Sequence, residues 1–161
     1  MELSFTDQAA VFGAKYLYFV LLAIAATWLY FQPRAAKIDM IIWGFIALPL
    51  MYLLLIFAGA VYDDPRPFAV GQYIPLVAHD PDNGFPSDHT LLCSATSMIV
   101  LMHDRWIGGL LWGLTVVVGF SRVYVGIHHP VDILASMAIA GVISTATWFW
   151  LMPGLRQKLK E

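Results

Sequence analysis

The chain alternates between long apolar runs and short polar breaks. A helix needs about 20 mostly apolar residues to cross a bilayer, and the longest runs reach that length. Charged and turn-forming residues fill the breaks, which is typical of loops at the membrane faces. The pattern predicts five helical spans, at about residues 12–31, 38–62, 87–102, 106–120 and 131–151.

Residues 1–11 are too polar and too short to form a further span, since they include Glu2 and Asp7. We expect this segment to lie at the membrane interface. No small-residue cleavage site followed by a polar stretch accompanies the first apolar run, so no cleavable signal peptide is expected.

The composition supports a membrane protein. Of 161 residues, 60% are apolar and only 12% are charged, and the mean hydropathy is +0.71, whereas soluble domains carry about 25% charged residues. Five spans use about 100 residues, which leaves no room for a separate soluble domain. The sequence therefore predicts an all-α, polytopic transmembrane helical bundle with one integral membrane domain, residues 1–161.

Charge and cysteine content exclude other classes of protein. The formal net charge is -2, which argues against a nucleic-acid binder. Cys93 is alone, so a disulfide scaffold is excluded, and we interpret Cys93 as a small core residue.

Basic residues are distributed unevenly between the two predicted faces. Counting crossings places the breaks at 32–37 and 103–105 on the same side as the C-terminal tail. That side carries Arg34, Lys37, Arg105, Arg156, Lys158 and Lys160. Because cytoplasmic segments are enriched in Lys and Arg, we predict that it is cytoplasmic and that the larger polar connections face outward.

Three clusters of polar residues fall on the predicted outer side. The first is DPRPF at 64–68, the second is FPSDHT at 85–90, and the third comprises Ser121, Arg122, His128 and Asp132. In a chain with so few charges, ionisable groups at the ends of spans need a partner, water or a ligand. These clusters are therefore candidates for function.

Two helix N-termini accompany these clusters. Ser87 is placed to cap span three, and Pro130 suits the first turn of span five. Outward-facing N-termini attract anions, and the guanidinium groups of Arg66 and Arg122 match phosphate oxygens. The sequence favours an anionic substrate.

The spacing of His128 and Asp132 is that of neighbours on one helix face. Asp132 could accept a hydrogen bond from one imidazole nitrogen and leave the other as an oriented nucleophile. His89 supplies a second titratable group. Two histidines with two arginines form a constellation suited to phosphoryl transfer.

These motifs resemble those of the type-2 phosphatidic acid phosphatase superfamily of membrane lipid phosphatases. The resemblance is carried by Arg66-Pro67, by residues 86–89 (PSDH) and by Ser121-Arg122 with His128 and Asp132. The longer run 79–90 (HDPDNGFPSDHT), preceded by RPF at 66–68, resembles the bacitracin-resistance type of undecaprenyl-diphosphate phosphatase.

The resemblance implies a role for each matching residue. His128 would attack phosphorus to form a phosphohistidine, Asp132 would orient it, and His89 would protonate the leaving oxygen and later activate water. The substrate phosphate would be bound by Arg66, Ser87 and Arg122. No metal ion is required by this scheme.

Two positions depart from the superfamily pattern. Gly59 stands where the family usually has Lys, and Asp88 stands where it usually has Gly. A carboxylate beside a polyanion is repulsive unless it points away, pairs with arginine or meets a cation. Asp88 is an accessory candidate for this reason, and assistance by Mg²⁺ stays open because Asp63, Asp64, Asp80 and Asp82 are near in sequence.

Other residues have two interpretations. His79, the second accessory candidate, either approaches a diphosphate or caps a turn, whereas His103 and His129 are read as structural. Gly109 and Gly113 form a GxxxG pair, which predicts close helix packing.

The preferred function is hydrolysis of undecaprenyl diphosphate to undecaprenyl phosphate at the outer face of a bacterial cytoplasmic membrane. Phosphatidylglycerol phosphate or phosphatidic acid is the nearest alternative substrate. A small membrane transporter and a metal-dependent hydrolase are alternatives of other classes. The expected partners are the lipid substrate and the bilayer, with no nucleic acid; the sequence leaves the oligomeric state open.

Overall fold

A computed structural model of the protein describes residues 3–158. All its regular elements are helical, and they follow one another as α1 (Phe5–Lys15), α2 (Leu17–Tyr30), α3 (Arg34–Val61), α4 (Pro67–Gly71), α5 (Asp88–Leu101), α6 (Arg105–Tyr124), α7 (Pro130–Ala146), a π-helical turn (Thr147–Leu151) and α8 (Met152–Lys158). Met1, Glu2 and Lys160, which entered the predictions above, lie outside the described residues.

The helices confirm the predicted all-α membrane bundle, and the number of spans is approximate. α3, α6 and the continuous stretch Pro130–Leu155 are each long and apolar enough to cross a membrane. α1 and α2 form a fourth span if this pair, which bends by 50°, is counted as one. The remaining predicted span corresponds to α5, which has only 14 residues.

α5 lies at the centre of the bundle, where it packs against α6 and α7. Cys93, Ser94 and Ser97 are fully buried on it, and their small side chains let the neighbouring helices approach closely. The hydroxyl groups of Ser97 and Thr115 form a 2.9 Å hydrogen bond between α5 and α6. The assignment of Cys93 to the core is confirmed.

The expected packing role of Gly109 and Gly113 is wrong. A Cβ atom at either position would meet no described atom within 4 Å, so these glycines face away from the other helices. The close approach occurs at Gly108, where a Cβ would overlap the backbone of Leu101, and at Gly119, where it would come within 2.5 Å of Ile133. The contact face of α6 is therefore rotated away from the GxxxG pair.

We expect Gly108→Ala to destabilise the bundle by about 1–3 kcal/mol, because the added methyl group has to displace the α5 backbone. Gly109→Ala adds the same methyl group one residue later, into open space, and should leave stability unchanged or slightly improved. Thermal unfolding of both variants in detergent checks this difference. Equal midpoints would show that α6 does not pack on α5 through Gly108.

Candidate active site

The three polar clusters meet at one end of the bundle. Arg66 follows α3, Ser87 precedes α5, Arg122 lies in the last turn of α6, and His128 and Asp132 flank the start of α7. All of these side chains are buried, with residue exposures of 5% or less. The sequence-predicted residues therefore converge on one interior site.

His128 and Asp132 form the predicted pair. Nδ1 of His128 lies 3.0 Å from Oδ2 of Asp132. The other ring nitrogen, Nε2, faces two guanidinium groups, which can only donate hydrogen bonds. The proton therefore resides on Nδ1, and the lone pair of Nε2 points toward the arginines.

Arg66 and Arg122 approach this nitrogen from two directions. Nη1 of Arg66 is 3.4 Å from Nε2 of His128, and Nη2 of Arg122 is 3.3 Å from it. Each cation is also anchored: Arg66 donates to the carbonyl of Ile127 at 2.8 Å and to Asp82 at 2.6 Å, and Arg122 donates to the carbonyl of Ala14 at 3.2 Å. A phosphoryl group placed against Nε2 would meet donors on both sides.

The electrostatics favour a neutral His128. Burial lowers the pKa of His128 below its ordinary value of 6.5, the charges of Arg122 and Arg66 act in the same direction, and the hydrogen bond to Asp132 opposes them. A neutral imidazole with its Nε2 lone pair exposed to the donors is the form required of a nucleophile.

A sharp turn brings His128 back to Arg122. Gly126 has a φ angle of 84°, in the left-handed region that residues with a Cβ atom rarely adopt. The hydroxyl of Tyr73 donates to the Gly126 carbonyl at 3.2 Å. The chain thus reverses between α6 and α7 over a few residues and places both functional side chains in one site.

Ser87 occupies the N-cap position of α5 but makes no side-chain capping bond, contrary to its predicted role. Its hydroxyl accepts a 3.1 Å hydrogen bond from Thr90, and its carbonyl accepts one of 2.9 Å from Ser136. Its backbone N–H donates weakly to the carbonyl of Asp132 at 3.4 Å. These contacts tie the α5 start to α7.

His89 lies in the first turn of α5, half-buried. Its ring meets Tyr18 edge to face, with 4.9 Å between the ring centroids. It is close enough to Arg122 and His128 for electrostatic interaction with both. His89 therefore belongs to the site, beside the arginine–imidazole centre.

Sequence reasoning missed the contribution of the N-terminal helices. The carbonyl of Ala14 holds Arg122, Tyr18 packs on His89, and Gly13 lies directly against Ser121. A backbone carbonyl and a close glycine contact carry no residue-type signal, so no motif could have revealed them.

Asn83 was also missed as an organising residue. Its Oδ1 accepts from the backbone N–H of Asp64 at 3.0 Å and of Phe85 at 2.9 Å. Its Nδ2 donates to the carbonyls of Gly59 at 2.9 Å and Tyr62 at 3.1 Å. One amide thereby joins the first motif, which carries Arg66, to the second motif.

The same contacts explain the departure at Gly59. A Cβ atom there would come within 2.9 Å of the backbone oxygen of Phe85, so the second motif occupies the space of a side chain. A lysine could be accommodated only if this loop moved. The packing of the second motif against residue 59 therefore fits glycine and disfavours lysine.

The accessory candidates lie at the edge of the site. Asp88 is exposed and borders a groove with Tyr52 and Leu55, between α3 and α5, and its charge interacts with that of Arg122. His79 lies at the rim, with Nδ1 4.0 Å from Oδ1 of Asp82. Burial and the charge of Arg66 lower the pKa of His79.

Residues 49–155 match the family model of the PAP2 superfamily. The chain belongs to this superfamily. It is a membrane lipid phosphatase, a hydrolase of phosphoric esters, and the matched segment contains every residue assigned to the site except the N-terminal contacts.

Two bacterial relatives and one solved structure are similar to the chain over most of its length. The chain is 36% identical to the undecaprenyl-diphosphatase BcrC of Bacillus subtilis, over 87% of this chain and 72% of the relative. It is 33% identical to the bacitracin transport permease protein BcrC of Bacillus licheniformis, over 96% of this chain and 75% of the relative. The crystal structure of LpxE from Aquifex aeolicus shares the fold, with a TM-score of 0.66 and 20% identity over 92% of this chain and 88% of that one.

The fall of kcat/KM on the acidic side of the pH profile should reflect protonation of His128. Because protonation removes the nucleophile, kcat/KM should fall in acid as His128 takes up a proton, with the lowered pKa of His128 placing its contribution below pH 6.5. Asp132→Asn removes an interaction that raises this pKa, so the acidic limb should move to still lower pH. The substrate ionises identically in both assays, so the shift between them reports the enzyme group; a limb that Asp132→Asn leaves in place would contradict the assignment.

Proposed function

We propose that this PAP2 phosphatase hydrolyses undecaprenyl diphosphate to undecaprenyl phosphate and inorganic phosphate, through a phosphohistidine on His128. The observation that carries the proposal is the meeting of Arg66 and Arg122 around Nε2 of His128, at 3.4 and 3.3 Å. Two donors beside one nucleophilic nitrogen match the oxygens of a phosphoryl group bound for attack at phosphorus.

In the first half-reaction, Nε2 of His128 attacks the terminal phosphorus and the bond from phosphorus to the bridging oxygen breaks. The Nδ1–H bond to Asp132 stabilises the imidazole as positive charge develops. His89 donates a proton to the departing oxygen, and the guanidinium groups stabilise the charge on the transferring phosphoryl oxygens.

In the second half-reaction, His89 accepts a proton from water, which attacks the phosphohistidine. The bond from phosphorus to Nε2 breaks and inorganic phosphate leaves. His128 returns to its neutral form with Asp132 still bound to Nδ1, so the enzyme is ready for another substrate.

Apolar grooves near the site support a lipid-linked substrate. A groove of about 360 Å³ between α3 and α5 begins at Asp88, beside Ser87 and His89, and includes Tyr52 and Leu48. A second apolar groove of about 520 Å³ also includes Leu48 and continues along α2, α3 and α5 to Trp28. A hydrocarbon tail could remain in these grooves while its phosphate occupies the site.

The relatives' names support undecaprenyl diphosphate as the substrate, and one of them suggests a transporter as the alternative class of protein. The Bacillus subtilis relative is named an undecaprenyl-diphosphatase, whereas the Bacillus licheniformis relative is named a transport permease. A transporter should place ionisable groups near the bilayer midplane. In the described residues, the arginines and the His128–Asp132 pair instead lie together at one end of the bundle, which favours hydrolysis.

Phosphate release from the purified protein in detergent tests the substrate and the nucleophile together. Undecaprenyl diphosphate should be hydrolysed faster than phosphatidylglycerol phosphate or phosphatidic acid, and EDTA should not reduce the rate. His128→Ala should lower the rate by about 1,000-fold or more. With substrate labelled on the terminal phosphate, acid-labile label should be trapped on the wild-type chain and not on His128→Ala.

His103→Ala is the matched control, because His103 lies elsewhere in the bundle, bonded to the carbonyl of Ile99 at 3.0 Å and paired with Asp39 at 3.4 Å. It should retain phosphate release. Near-full activity of His128→Ala would remove His128 from the nucleophile role, and preference for a glycerophospholipid would replace undecaprenyl diphosphate as the substrate.

We further propose that the site opens to the outer face of a bacterial cytoplasmic membrane. Asp80→Cys and Arg34→Cys place exposed thiols in the motif-bearing loop and at the start of α3, at opposite ends of that span. In a Cys93→Ala background, a membrane-impermeant maleimide applied to intact cells should label the first and not the second. Equal labelling, or the reverse pattern, would overturn this orientation.

A further inference from the structure

A second group of polar atoms lies directly beside the catalytic pair. Asp64, His129 and Asp132 each offer one ligand atom, and these atoms lie within 4.8 Å of one another. The sequence left Mg²⁺ open on the strength of Asp63, Asp64, Asp80 and Asp82, whereas within the described residues the set that converges joins Asp64 to His129 and Asp132. Neither Asp64 nor His129 has a step in the proposed mechanism.

Two buried atoms in this group lack a hydrogen-bond partner. Asp132 is fully buried, and its Oδ2 accepts from His128 at 3.0 Å and from the backbone N–H of His129 at 2.8 Å. Its other oxygen, Oδ1, receives no hydrogen bond from the described residues, and neither does Nδ1 of His129. Buried polar atoms are rarely left unsatisfied, so each such atom needs an explanation.

The backbone holds the three side chains in place. The loop fixes Asp64 through its N–H, which donates to Asn83 at 3.0 Å, and its carbonyl, which accepts from Gly84 at 2.9 Å. His129 is the N-cap of α7 and Asp132 lies three residues later. Nδ1 of His129 is 3.2 Å from Oδ2 of Asp64.

The carboxylates also make this position favourable for a cation. Burial raises the pKa of Asp64, and the nearby charge of Asp132 acts in the same direction while His129 opposes it. A positive ion between the two carboxylates would favour the ionised form of Asp64. Access exists from the surface, since the side chains of His129 and Asp64 are 36% and 15% exposed.

We propose that Asp64, His129 and Asp132 bind a divalent transition-metal ion of the Zn²⁺ class, and that the bound ion inhibits the enzyme. One imidazole nitrogen with two carboxylate oxygens suits zinc, which accepts tetrahedral N/O ligand sets, whereas Mg²⁺ prefers oxygen ligands in octahedral geometry. Water supplies the fourth ligand.

Inhibition follows from the shared residue. A cation bound at Asp132 withdraws electron density from the carboxylate that accepts the Nδ1–H bond of His128, so the imidazole is a weaker nucleophile. This part rests on the proposed function, whereas binding of the metal does not.

Metal binding is measured directly on the chelator-treated protein in detergent. Titration with Co²⁺, as a spectroscopic probe, should produce visible d–d absorption that saturates at one ion per chain, and Zn²⁺ should displace it. His129→Ala and Asp64→Asn should each weaken binding at least tenfold. His103→Ala, which disrupts another His–Asp pair at 3.4 Å, should bind as the wild type does.

Phosphate release forms the second arm. Zn²⁺ should inhibit the wild type and His103→Ala over the concentration range in which it binds, and His129→Ala should need at least tenfold more. Thermal unfolding checks that each variant is folded. If either His129→Ala or Asp64→Asn does not fold, the other variant is used for the test.

Failure of the wild type to bind one ion, or unchanged binding by a folded variant, would overturn the metal site. Binding without inhibition would overturn the inhibitory role. Absence of lipid phosphatase activity with intact metal binding would instead refute the proposed function.

Discussion

The active site depends on two positive charges held against one imidazole nitrogen in the interior of the bundle. Arg66 and Arg122 repel each other, and burial removes the water that would screen them. Backbone carbonyls, together with Asp82 behind Arg66, hold each guanidinium in place without neutralising the space in front of His128. An anion entering that space would relieve the repulsion, so the geometry suits a phosphoryl group.

The fold achieves this arrangement by joining loops rather than by long-range pairing of side chains. Asn83 connects the end of α3 with the approach to α5, and the turn at Gly126 returns the chain from α6 to α7. The carbonyl of Ala14 adds a support from α1. Because these contacts use the backbone, each guanidinium keeps an N–H group that faces Nε2 of His128.

Much of the site could be predicted because charge is scarce in an apolar chain. Arg66, His128 and Asp132 stood out at the ends of spans, and the structure brings them together as expected. The all-α bundle followed equally from the apolar runs.

The remaining features depend on rotation and close contact, which hydropathy does not encode. Gly109 and Gly113 have the spacing of a packing motif, yet the contact falls on Gly108.

The short length of α5 has a consequence for the surrounding lipid. Its 14 residues rise about 21 Å, against about 30 Å for a hydrocarbon layer. Even with Asp104 level with one headgroup region, a rise of about 26 Å from there would leave Ser87 about 4 Å short of the other, and His89 deeper still, so the reaction would require the bilayer to thin or water to descend to the site.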